Sequence, residues 1–172
     1  RVFAFCDEST RKEVTALLEA RPRGKEEGRS RFEALLSRAE RGNASRGRAV
    51  FLSGKGACAT CHRIEGQGGE LGPDLSHIGS IRQKKDLLEA ILFPSSTLVN
   101  GYESYHVSTH SGESMTGVVF EETDTAIVLK DATQQETRFL REAIRELRPS
   151  EISTMPEGLA QTMTEQELLD LV

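Results

Sequence analysis

Apolar residues along this chain follow two different periods. Up to Pro94 they recur at three- and four-residue spacing, the pattern of helices that bury one face. Val14, Leu17 and Leu18 predict a helix within residues 1–20, with Ser9 or Thr10 placed to cap it and Arg21-Pro22-Arg23-Gly24 to break it. Phe32, Leu35, Leu36 and Ala39 share one face of a second helix over 28–41, which Gly42-Asn43 ends. A third begins near Ser45 and runs through Gly47, Val50 and Phe51. Residues 54–80 are glycine-rich and aperiodic, and a long ordered loop of that kind is usually functional. Helical spacing returns over 81–93 in Ile81, Leu87, Leu88, Ile91 and Leu92, and Pro94 stops it.

Beyond Gly101 the period shortens to two. Residues 102–109, 114–121, 125–130, 136–140 and 145–148 predict five short strands, with Ser111-Gly112 as a hairpin turn and Glu122-Thr123-Asp124 as a separator. Strands this short and close together predict a small curled antiparallel sheet, or a barrel of the SH3 or Sm kind. After Pro149 the chain leaves the sheet. Thr164-Glu165-Gln166-Glu167 has capping-box form and opens a last helix carrying Leu168, Leu169 and Val172.

Composition changes this picture in one respect. Hydrophobic residues make up 37% and charged residues 28%, as in a globular domain, yet aromatics are only 5% and Trp is absent. A 172-residue chain with so few large rings is expected to build its core around something else. No run is long enough to span a membrane. The first residues lack the apolar stretch of a signal peptide, and any export signal is expected upstream of Arg1. The net charge of −5 is unevenly spread: residues 21–48 hold nine Arg and Lys against four Glu, and residues 49–172 hold ten against nineteen acids. The basic stretch is interleaved with Glu and has few aromatics, which reads as a solvated face or a docking surface for an acidic partner rather than a nucleic-acid site.

The candidate chemistry lies in the glycine-rich loop. Cys58-Ala59-Thr60-Cys61-His62 has the Cys-x-x-Cys-His form of covalent c-type haem attachment. Two thiols three residues apart on one helical turn reach the two vinyl groups of a porphyrin, and the next residue presents an imidazole to the iron. The alternatives are a zinc site, a thioredoxin-like redox pair and inert buried thiols. Zinc wants four ligands and finds at most three here, since Cys6 is remote. A redox pair wants a βαβ setting that the predicted elements do not provide. With Cys58 and Cys61 consumed, Cys6 would remain a free thiol.

Around that motif the chain resembles class I cytochromes c. Gly47 and Phe51, as Gly-x-x-x-Phe, match the first helix of that family, which crosses the C-terminal helix. Gly72-Pro73-Asp74-Leu75 resembles its Gly-Pro-x-Leu segment. The resemblance implies that the Pro73 carbonyl accepts a hydrogen bond from the axial His62, and that Leu75 packs on the haem. It also implies an axial Met in a loop before the last helix, where Met155 stands in Met-Pro-Glu-Gly-Leu. His62 and Met155 are 93 residues apart, long for this family, but only 46 remain once the strand-rich block 101–147 is set aside. Met163 is the second candidate, Met115 reads as sheet core, and His77, His106 and His110 leave bis-His ligation open. Arg82, following the Gly-Pro-Asp-Leu loop, is a candidate partner for a haem propionate or simply a solvated residue at a helix start.

Residues 43–172 further resemble the haem-binding domain of large planctomycete and verrucomicrobial proteins. There the haem motif, a Gly-Pro-Asp-Leu segment, a stretch like Ile91-Leu92-Phe93-Pro94-Ser95 through Gly101-Tyr102-Glu103, a small sheet and a Met-Pro-Glu-Gly-Leu loop follow in this order. The expectation is a mainly α cytochrome c domain over 43–172 with a β insertion at 101–147. Residues 1–42 would be a helical extension, the tail of an upstream domain. The expected cofactor is one covalent haem c, and the expected role is electron transfer rather than catalysis. The expected partner is a redox protein or an upstream dehydrogenase domain, with no nucleic acid or membrane span, in an exported or periplasmic protein. The rival roles are a haem-based sensor or gas-binding module, and a partner-binding β module for which the haem is anchor or switch.

Overall fold

The computed structural model describes Glu8, Lys12 and residues 26–172. Glu8 and Lys12 are helical and form an i,i+4 ion pair at 3.1 Å. The rest of the helix expected over 1–20, and the Cys6 thiol, lie outside the described residues.

Helix α1 (residues 26–36) is followed by a 3-10 turn at Ala39–Arg41. Helix α2 (Ala44–Leu52) starts one residue before Ser45 because Asn43 caps it, its side chain accepting from the Arg46 N–H. Two helical turns, α3 (Cys58–Cys61) and α4 (Ile78–Ile81), and a two-residue hairpin, β1 (Arg63–Ile64) with β2 (Gln67–Gly68), lie within the stretch expected to be a loop. Helix α5 (Lys84–Leu92) opens on a capping box between Gln83 and Asp86, and α6 (Glu165–Leu171) on the one expected from Thr164 and Glu167. Leu35, Val50, Leu88, Ala160, Met163, Leu168 and Leu169 form one buried cluster, so α1, α2, α5 and α6 share a core. The Phe32 and Phe93 rings flank it, 6.3 Å apart and tilted.

The expected strands all form: β3 (Ser104–Thr109), β4 (Ser114–Glu122), β5 (Ala126–Lys130), β6 (Glu136–Leu140) and β7 (Ile144–Pro149). They make one antiparallel sheet in the order β6-β5-β4-β3-β7, with β6 and β7 at opposite edges. Alternation puts Val107, Ile127, Leu129 and Phe139 on one face, with Tyr105, Met115, Val119 and Ile144 packed around them. Register shifts at Ser108/Thr109 and Val119/Glu121 are irregularities of the kind that bend a strand and curl a sheet over its own core. Met115 is thus a sheet-core residue.

The helical unit is closed by the contact of α2 with α6. Gly47 lies so close to α6 that a Cβ there would stand 1.9 Å from the Asp170 carbonyl oxygen. Beside it the Asp170 carboxylate, its side chain 3% exposed, accepts from Arg46 Nε at 2.7 Å and Nη2 at 2.8 Å, from the Asn43 N–H at 2.9 Å and from Gln166 Nε2 at 2.9 Å. The Arg46 hydrogen bonds are the main reason its pKa falls from 3.8 to about 2, against the opposing effect of burial. Glu167, held by Lys55 Nζ and then by Thr164, falls from 4.5 to about 2. Both carboxyls titrate lower folded than unfolded, so their stabilisation is present above the ordinary values and is lost as pH drops toward 2. Thermal unfolding followed by circular dichroism should therefore show Tm falling steadily between about pH 4.5 and 2. The Asp170→Asn variant should be less stable at pH 6 and lose less over that interval.

Candidate functional site

Gly54, Gly56 and Ala57 take left-handed φ of 85°, 66° and 51°, reversing the chain out of α2. Helix α3 is a single turn. It places Cys58 and Cys61 three residues apart on one face, both half-buried free thiols. His62 then leaves the helix with extended backbone, its N–H still bonded to the Cys58 carbonyl at 2.9 Å.

The glycine-rich stretch folds back onto this turn. Glu65 and Gly66, both at positive φ, make the tight turn of the β1–β2 hairpin. The returning strand approaches backbone to backbone: the Gly69 N–H donates to the Ala59 carbonyl at 2.9 Å and the Gly72 N–H to the Cys61 carbonyl at 2.8 Å. Gly72 also lies against the His62 ring, where a Cβ would stand 2.4 Å from Cε1. The next residue supplies the acceptor implied by the resemblance, with Pro73 O 2.9 Å from His62 Nδ1. A carbonyl only accepts, so Nδ1 carries the proton and Nε2 keeps its lone pair for a metal.

The electrostatics fit a porphyrin-bound iron better than the alternatives. Burial pushes the His62 pKa down, the Pro73 contact opposing it, and so favours the neutral imidazole that a ligand must be. Burial pushes both thiols up, away from the low-pKa thiolate of a redox pair. Among the described residues no group of three or more His, Cys, Asp or Glu is placed to hold a metal ion, so a zinc site finds no ligand set. The donor set present, two neighbouring thiols and one imidazole nitrogen, fits haem c.

The remaining candidates are distributed around this turn. Leu75 is half-buried, and its N–H bonds the Arg63 carbonyl at 2.8 Å. Arg82 is exposed at the C-terminal end of α4. Met155 is half-buried in the loop before the last helix; its N–H donates to Ser153 Oγ at 3.1 Å, and the Ser153 N–H to Ser95 Oγ at 3.2 Å, tying that loop to the end of α5. Met163 is 6% exposed in the helical core. It stands behind Gly56, where an added Cβ would meet Met163 Sδ and Cys58 Sγ at 3.5 Å each. His106 pairs with Thr116 Oγ1 at 3.1 Å across the sheet, His110 follows β3, and His77 precedes α4. The role of Gly72 was not read from the sequence, although its place directly before Pro73 was a usable signal. Likewise Glu65-Gly66 is a turn dipeptide within an otherwise aperiodic stretch.

No helix among the described residues is long and apolar enough to cross a membrane. Among curated proteins, no match to the chain is found. Residues 44–126, which hold the attachment turn, the Gly72-Pro73 loop and the first strands of the sheet, match the family model for cytochrome c, and this match supports a c-type cytochrome.

Proposed function

We propose that Cys58 and Cys61 hold one haem c covalently, that His62 and Met155 are its axial ligands, and that the chain carries electrons. The donor or acceptor is a redox protein or a dehydrogenase domain upstream in a longer, periplasmic or otherwise exported polypeptide. The observation that carries this reading is the His62 Nδ1 to Pro73 carbonyl contact at 2.9 Å, made beside the half-buried pair of thiols. It commits Nδ1 to Pro73 and leaves the Nε2 lone pair without a protein donor among the described residues, as an iron ligand requires.

A bound haem supplies a one-electron iron couple. The chain would supply attachment and orientation. Cys58 and Cys61 would hold the group through one thioether bond each, and burial favours their thiol form. His62 stays neutral and fixed by Pro73. Leu75 lies on the loop that packs against the motif, and Arg82 is the candidate counter-charge for a propionate. Met155 is favoured over Met163 because Met163 is buried in the helical core with Leu35, Val50, Leu88 and Leu168. Residues 101–147 are read as an insertion within a cytochrome domain of 43–172, with residues 1–42 as an N-terminal extension. Supporting this, the sheet has a core of its own, whereas α5 before it and α6 after it share one.

Acid–acetone extraction followed by a denaturing mass measurement is expected to leave one haem mass on the chain, and none on the Cys58→Ala/Cys61→Ala variant. A bare polypeptide mass for the wild type refutes the reading.

A further inference from the structure

We propose that the loop between β5 and β6 is a clamp on the haem-attachment turn, with Gln134 as a positioning residue that holds the Thr60 carbonyl and, through it, the backbone aiming His62. This rests on the attachment reading above.

The loop is built to present that side chain. Asp131 Oδ1 accepts from the Thr133 N–H at 2.8 Å, from Thr133 Oγ1 at 2.6 Å and from the Gln135 N–H at 3.0 Å. The Gln134 N–H donates to the Asp131 carbonyl at 2.9 Å. These bonds hold Gln134 at φ 67°, a left-handed backbone that costs a non-glycine residue energy and persists where surroundings enforce it. From there Gln134 Nε2 donates to the carbonyl oxygen of Thr60, 74 residues away in sequence and between the two cysteines. The same carbonyl is pressed from another side by Gly69, where a Cβ would stand 2.0 Å from it. The peptide joining Thr60 to Cys61 is thus gripped between the hairpin loop and the sheet. A wider junction lies nearby: a cavity of about 200 Å³ is bordered by Glu70 and Leu71 on the haem-motif side and by Phe120 and Lys130 on the sheet side.

The contact has an electrical consequence. The amide N–H directs the positive end of its dipole at the attachment turn, which favours the state with one more electron. Losing the donor should lower the reduction potential, and replacing it with a carboxylate should lower it further.

The test uses the reduced holoprotein with the wild-type sequence and Gln134→Ala, Gln134→Glu and Gln134→Lys. Gln135→Glu and Gln135→Lys place the same charges one residue away without reaching Thr60. The carbonyl-carbon chemical shift of Thr60 reports the hydrogen bond directly. Gln134→Ala and Gln134→Glu are expected to move it upfield, and Gln134→Lys, which retains a donor, to keep it. The potential should rise in the order Glu, Ala, wild type, with Lys at or above wild type, and the Gln135 variants should shift it less than their counterparts at 134. An unchanged Thr60 shift in Gln134→Ala overturns the clamp, as does an equal effect from position 135. Denatured mass separates the two readings: haem retained with no Thr60 response refutes only the clamp, whereas a wild-type chain without haem refutes the attachment itself.

Discussion

Replacing Met155 by Ala is expected to remove the ferric charge-transfer band of a thioether–iron bond, lower the reduction potential and open the ferrous site to carbon monoxide. Soft thioether ligation favours ferrous iron, so its loss lowers the potential, and the vacated position accepts a small ligand. Met163→Ala should behave in the opposite way. Met163 is 6% exposed and packed with Leu35, Val50, Leu88 and Leu168, so truncation leaves a cavity costing about 2–5 kcal/mol. For a chain of this size each kcal/mol lowers Tm by roughly 2–4 °C. The band, the potential and the closed ferrous site should survive. One methionine is read by ligation and the other by stability, and absorption spectra with and without carbon monoxide, beside a thermal melt, separate them. A band that persists in Met155→Ala and vanishes in Met163→Ala would move the axial ligand to the helical core and disprove the assignment.

A large stability loss is also expected from Gly47→Val. The added Cβ would lie 1.9 Å from the Asp170 carbonyl oxygen and 2.6 Å from its carbon, so the obstruction is backbone and no rotamer change relieves it. Helices α2 and α6 would have to separate, loosening Val50, Leu168 and Leu169 from the shared core and stretching the Asn43 and Arg46 bonds to Asp170. Overpacking typically costs about 1–3 kcal/mol, and a rigid obstacle belongs at or above the top of that range, a Tm loss of roughly 6–12 °C. Gly47→Ala meets the same atom and should lose nearly as much. A variant that melts within 2 °C of wild type would show that α6 can move aside freely, on the same scale of roughly 2–4 °C per kcal/mol.

Elements whose cause is local were legible in advance. The Thr164–Glu167 capping box opens α6 where expected, and alternating Val, Ile and Phe residues placed all five strands within two residues of their observed ends. The Cys-x-x-Cys-His spacing pointed to attachment chemistry by itself, because three residues along a helical turn bring two side chains to one face. Misread features had weak local signals. Gln83 is an uncommon N-cap, and the irregular glycine stretch 54–80 conceals two helical turns and a hairpin whose shape comes from the turn it covers.

What the sequence determined by itself is therefore the longer helices, the five strands of the sheet and the paired-thiol spacing of the Cys-x-x-Cys-His motif, since each depends on neighbours within a few residues. Tertiary structure alone decided which backbone approaches which. Gly72 is required by the His62 ring and Gln134 meets Thr60 across 74 residues; the crossing of α2 and the last helix at Gly47 was implied by the family resemblance, but not the Asp170 carbonyl as the atom it meets. Each of these is a contact between segments that share no local pattern, and each becomes definite only when the chain has closed on its core. The left-handed backbone of Gln134 has the same origin: its own residue type disfavours it, and bonds made by the folded loop hold it in place.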